Sequence, residues 1–179
     1  MKLYHVAIGR GTQNYTCATA DSSTAPVAIG AVAKLFNATC VAASFPDLLA
    51  IMPNISMREE TPSSDDRRSP VNKLLSGHHY FTDNFTTPFF NLDTETHSWG
   101  AGAVKKGSNT PAPYPAKNVP WLKLLVKNAT GPDSDWGEIY RLNTVGGQAP
   151  KTCDGMTPTF EIEYSAEYWI FVNSTSFSL

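Results

Sequence analysis

Two short runs rich in aromatic and branched residues, Trp121 to Val126 and Glu138 to Leu142, are separated by Asn128 to Asp135, a segment dominated by Gly, Pro, Asp and Ser. Such runs, joined by turn chemistry, read as a β-hairpin with a long loop and not as a pair of helices. The second run leads into Gly146-Gly147, which reaches backbone angles closed to other residues, and Pro150 then bars further pairing just before Cys153. Strand, kink and covalent anchor therefore follow one another closely, and they make the strand the building unit of this chain.

At 179 residues the chain has room for one domain, 1–179, with a full core. Hydrophobic content of 41% with 17% charge describes a globular protein, and thirteen Pro and twelve Gly cut it into many short segments. We therefore expect an all-β single domain, an antiparallel β-sandwich or flattened β-barrel of eight to eleven strands with one short helix. A formal charge of -2 offers no basic field for nucleic acid. No apolar run approaches the roughly twenty residues of a membrane span.

Six of the eleven asparagines open an Asn-x-Ser/Thr triplet, namely Asn14, Asn37, Asn54, Asn84, Asn128 and Asn173, where Ser and Thr frequency would give about two by chance. That excess reads as a secreted glycoprotein carrying N-linked glycans. Met1 to His5 has no apolar signal region, so the sequence reads as a mature form. Three cysteines suit an oxidising compartment, with one disulfide and one thiol left over.

Residues 3 to 17 read as a first strand in which Gly9 and Gly11 mark a bulge or bend. Gly9-x-Gly11 also begins a dinucleotide fingerprint, but Asn14 stands at the third glycine position and no helix pattern follows, so a nucleotide cofactor is not expected. Pro26 to Phe36 is a second strand, and Pro46 to Met52 is a short helix stopped by Pro53. Met57 to Asn72, the most polar segment, reads as a surface loop. Gly77 to Phe81, Phe85 to Asn91 and Trp99 to Val104 are further strands, followed by a Pro-rich connection from Gly107 to Pro115. Thr159 to Val172 closes the chain: its first half alternates aromatic or aliphatic with Glu, and Tyr168 to Val172 is apolar throughout. A glycosylated Asn must face solvent, so Asn14 places Gln13, Tyr15 and Cys17 inward, Asn84 places His79, Phe81 and Asp83 inward, and Asn173 places Tyr168, Ile170 and Val172 inward.

Adjacent His78 and His79 would point to opposite faces of a strand, so they do not form a metal pair, and no metal is expected. Glu161 and Glu163 share a face about 7 Å apart, within the separation of an inverting glycosidase pair, but their alternation with Phe160 and Ile162 puts them on the solvated side. No Gly-x-Ser-x-Gly elbow is present. What remains is a set of aromatics with sparse polar groups. Trp121 and Lys123 share one strand face, and Arg141 lies on the facing strand. Lys123 reads as an edge residue and Arg141 as a clamp on loop carbonyls, or else either projects into a cavity and donates to a ligand carbonyl.

The blocks Gly11 to Cys17, Gly77 to Phe81, Val119 to Leu124, Tyr140 to Gly147 with Ala149, Pro150 and Cys153, and Tyr164 to Trp169 together resemble a family of secreted proteins, abundant in fungi and present in bacteria, often mislabelled malate dehydrogenase. The fungal hetero-Diels-Alderases of tropolone sesquiterpenoid biosynthesis look like this family. The resemblance implies a pericyclase that couples a tropolone quinone methide with a humulene-type terpene, and it implies a Cys17 to Cys153 bridge, with Cys40 to Cys153 as the other pairing. A cycloaddition needs a dry pocket and a donor on the enone oxygen, without metal or nucleophile. For that chemistry the expected catalytic donors are Lys123, Arg141 and His79, and the expected walls of an enclosed pocket for hydrophobic small molecules are Gln13, Tyr15, Phe81, Trp121 and Tyr168. The competing classes are a lectin-like module with an exposed aromatic shelf and a structural protein of the cell or spore wall. A homodimer stays open.

Overall fold

The computed structural model describes residues 1–58, 72–131 and 135–173. Eight antiparallel strands close into a barrel in which each strand pairs with its sequence neighbours and the last returns to the first: β1 (Lys2–Thr16), β2 (Val27–Asn37), β3 (Leu75–Thr82), β4 (Thr87–Asp93), β5 (Ser98–Thr110), β6 (Trp121–Thr130), β7 (Trp136–Gly146) and β8 (Thr159–Val172). Of the two expected architectures, the barrel is the one adopted. Closure leaves no sheet edge, and eight strands enclose an interior just wide enough to be filled by side chains or to hold one small ligand.

Strand parity assigns the interior. On β1 the inward set includes Ala7, Gly9, Gly11 and Gln13, and on β8 it includes Tyr164, Ala166, Tyr168 and Ile170. Leu35, Phe90, Leu92, Val104 and Ile139 complete a fully buried core from β2, β4, β5 and β7. The outward side of β1 is also buried where two helices, α1 (Thr39–Ser44) and α2 (Pro46–Ser56), lie against it and cover Val6 and Ile8. Arg10 fastens α2 to the wall: its Nε donates to the Ser56 carbonyl at 3.1 Å, and its Nη2 reaches Glu163 at 2.8 Å.

Several expectations are corrected. Gly9 and Gly11 mark no bulge, since β1 pairs regularly there with both neighbours and its irregularities fall at Leu3/His5 and Asn14/Tyr15. The helix expected to stop at Pro53 runs to Ser56 with Pro53 inside it, and α1 precedes it. β5 continues to Thr110, through half of the expected Pro-rich connection. Most of the polar segment Met57 to Asn72 lies outside the described residues.

Cys17 and Cys153 form the disulfide, across 136 residues of sequence, and Cys40 is free and exposed on α1. The bridge fits an oxidising environment. Among the described residues no helix is long and apolar enough to cross a membrane.

Candidate functional site

The interior is packed with side chains towards one end of the barrel and hollow towards the other. A cavity of about 350 Å³ opens there, lined by Gln13 of β1, Ala28 to Ala31 of β2, His79 and Phe81 of β3, Pro88 of β4, Leu122 and Leu124 of β6, Arg141 of β7 and Tyr168 of β8. Phe85 and Thr86, from the β3–β4 turn, form its rim. Phe85 is exposed, so the cavity meets solvent at this rim. The turn itself is tight: Asp83, Asn84 and Phe85 all adopt left-handed backbone angles, with φ of 51°, 54° and 65°.

Five of the eight expected residues meet in this cavity: Gln13, His79, Phe81, Arg141 and Tyr168. Tyr15 is buried outside it, donating its hydroxyl to the Gly147 carbonyl at 2.7 Å and stacking on Phe160 with ring centres 5.4 Å apart. Trp121 and Lys123 face the other way. Leu122 and Leu124 occupy the inward positions of β6, which turns their odd-numbered neighbours to the outer wall. Lys123 ion-pairs there with Glu138 at 2.7 Å, and that carboxylate accepts the Tyr140 hydroxyl at 2.5 Å. The side-chain hydrogen bond to Glu138 pushes the Lys123 ammonium up and fixes it as a charged surface group.

The polar groups of the cavity differ in how far the protein satisfies them. His79 stacks on Phe90, with ring centres 4.2 Å apart, and its Nδ1 is 2.9 Å from the Phe89 carbonyl, so Nδ1 carries the proton and Nε2 is the acceptor. Burial, with a smaller effect from the charge of Arg141, lowers its pKa to about 4, so the ring is neutral at pH 7. Tyr168 meets Tyr164 at 2.8 Å between hydroxyl oxygens, and burial raises both phenols. The Gln13 side chain has no hydrogen-bond partner among the described residues.

Arg141 is only partly satisfied. It is 6% exposed and donates through Nη2 to the Pro120 carbonyl at 2.9 Å. Its guanidinium lies 5.9 Å from the centre of the Tyr164 ring, and its Nε is buried without a partner. Arg141 thus clamps a loop carbonyl and also lines the cavity.

Sequence reasoning missed the walls Ala28 to Ala31, Leu122 and Leu124 and the rim residues Phe85 and Thr86. The rim had one signal, the sequon at Asn84, which marks an exposed turn. Asn54, Asn84, Asn128 and Asn173 are exposed, while Asn14 and Asn37 are half-buried. Among the described residues, no group of three His, Cys, Asp or Glu is gathered to hold a metal ion.

An aromatic shelf is also present on the outer wall, where Met1, Tyr140, Leu142, Trp169 and Phe171 border an apolar groove. Its polar atoms are occupied: Trp169 Nε1 donates to Glu167 at 2.8 Å, and the Tyr140 hydroxyl is held by Glu138.

Residues 1–172 match the model of a family described as "Protein of unknown function (DUF3455)". No curated protein and no solved structure is matched.

Proposed function

We propose, from the premise that this chain belongs to the DUF3455 family of proteins of unknown function, that the hollow end of the barrel binds an apolar unsaturated molecule through its oxygen and promotes a hetero-Diels-Alder coupling there. The observation that carries this reading is the buried Arg141, whose guanidinium lines the cavity and lacks a full set of protein acceptors. Phe81, Leu122, Leu124 and Ala31 supply the apolar wall, while Arg141 and Gln13 are the donors that meet the ligand's oxygens. In a cycloaddition of an enone with an alkene, electron density on the enone oxygen changes as the two new bonds form, and a donor fixed in a site shielded from water stabilises that change. One such donor lowers a barrier by about 2 to 4 kcal/mol, and holding both partners in register supplies more. The resemblance to the tropolone pathway pericyclases names the substrates to try: a tropolone quinone methide and a humulene-type terpene. On this reading the protein is a secreted glycoprotein, in keeping with the six sequons and the disulfide.

The lectin-like alternative has its own observation in the outer shelf. The cavity is favoured because its polar groups await a partner, and a buried unpaired donor costs about 1 to 3 kcal/mol that a ligand recovers. The shelf has no such deficit. Incubating the protein with a hydroxymethyl tropolone and humulene should give a stereochemically enriched adduct that is absent from a boiled control and about 100-fold slower to form with Arg141→Gln. Equal racemic product in every tube, together with glycan-array binding that is lost on Trp169→Ala, would transfer the function to the shelf.

A further inference from the structure

We infer that the barrel-mouth cavity is built for an organic anion, a carboxylate or an equally delocalised pair of oxygens, which docks against the guanidinium of Arg141. The inference rests on the cavity being the ligand site, and it adds the charge of the ligand to that reading.

An arginine stays protonated even when buried, so the interior of this barrel holds a permanent positive charge. Taking such a charge out of water costs several kcal/mol unless an opposite charge faces it. The chain meets that requirement for Arg10, which is as little exposed as Arg141 and reaches Glu163 at 2.8 Å. Arg141 has no carboxylate within ion-pair distance among the described residues, and no cavity-lining residue is acidic. The groups that its charge reaches are Tyr15, His79, Tyr164 and Tyr168. All four are neutral at pH 7, because burial raises the phenols and lowers the imidazole. The Pro120 carbonyl, the Tyr168 hydroxyl and the Tyr164 ring offer partial charges only, and the Nε is buried without a partner. The cavity is the open side. A ligand anion entering there would meet a cation already desolvated and held in place, with the Gln13 amide as a second donor to the same oxygens.

The test compares trans-cinnamate, cinnamamide and cinnamyl alcohol, which share one apolar frame, by titration calorimetry at pH 7 and low salt. Cinnamate should bind at least tenfold more tightly than the other two, and its advantage should disappear in Arg141→Gln, whose fold is checked by circular dichroism. Should that variant fail to fold, the ligand ranking in the unmodified protein decides alone. Cinnamamide binding as well as cinnamate would overturn the anion while leaving the cavity as a ligand site. Binding of none of the three would remove both.

Discussion

The hydroxyl oxygens of Tyr164 and Tyr168 lie 2.8 Å apart, although the two residues stand four positions apart on one face of β8. Four residues of strand span about 13 Å, so the two rings lie down along the strand and meet tip to tip. Both are fully buried, and each phenol is the other's hydrogen-bond partner.

Removing both hydroxyls of this pair should therefore cost less than the two single removals add up to. Tyr164→Phe or Tyr168→Phe leaves a buried orphan and should destabilise by about 1 to 3 kcal/mol each, whereas the double variant should lose clearly less than the sum. Urea unfolding of the four proteins measures the coupling. Strictly additive losses would show that the two phenols do not depend on each other.

Gly9 and Gly11 are expected to tolerate nothing larger. A Cβ on Gly11 would sit 1.8 Å from the Val32 carbonyl oxygen, and one on Gly9 would sit 2.4 Å from the Tyr168 ring. The first obstacle is backbone and cannot swing away, so Gly11→Ala should cost more than about 3 kcal/mol or prevent folding. Gly9→Ala should instead displace Tyr168 and disturb ligand binding at a smaller cost in stability. Thermal melts and cinnamate titrations on the two variants separate these outcomes.

Acid should weaken the fold through two histidines. Burial lowers His79 to about 4, and burial with the neighbouring His97 lowers His5 to about 4. Around His5 stand Ser76, Thr39 and Trp99, and around His79 stand the Phe89 carbonyl and Arg141, none of which stabilises an added proton enough to offset burial. The unfolded chain binds protons near pH 6.5 and the folded chain does not, so this stability is complete above pH 6.5 and is lost as pH falls towards 4. Each histidine contributes up to about 3 kcal/mol over that window. Chemical unfolding of His79→Gln and His5→Gln at pH 7 and 4.5 should show a flatter pH dependence than the parent, and an unchanged slope would refute the assignment.

Breaking the Cys17–Cys153 bridge should release a loop of 136 residues in the unfolded chain. The chain-entropy model puts the loss at about 5 kcal/mol for the double Ser variant, seen as a fall in melting temperature. Cys40→Ser should change nothing, because that thiol is exposed and unpaired.

How well strand parity could be read from sequence followed how different the two faces of each strand are. On β8 the Glu161 and Glu163 alternation marks a solvated outer face, and the structure has Tyr164, Tyr168 and Ile170 inside as expected. Trp121 to Val126 is apolar at nearly every position, because the outer wall of β6 carries Trp121 and the aliphatic stem of Lys123 while Leu122 and Leu124 line the interior. Nothing in that run distinguishes its faces, so the pair was expected inside when it lies outside. β7 reverses the usual rule outright: the charged Arg141 is buried and Leu142 lies on the outer wall. A hydrophobic pattern cannot find such a site, since the feature that makes Arg141 useful is its violation of the pattern. The two glycines of β1 misled for a related reason. Their role is to admit the β2 backbone and a tyrosine ring of β8, the strands that flank β1 in the barrel, and those contacts are remote in sequence.

The seam of the barrel joins β1 to β8, from Lys2 beside Val172 to Thr16 beside Thr159. On a growing chain, β1 emerges first and can pair with β2 within about twenty further residues, but its other edge must wait for the whole domain to be made. Until then the nascent protein carries an open strand edge with apolar residues on both faces, the arrangement most prone to pair with the wrong chain. Closing such a distant pair is also slow, because the entropy of bringing the two ends together is lost before any contact rewards it. The strand synthesised first is thus the last to be fully paired, and the disulfide just beyond its end is best placed to hold the seam once it has shut.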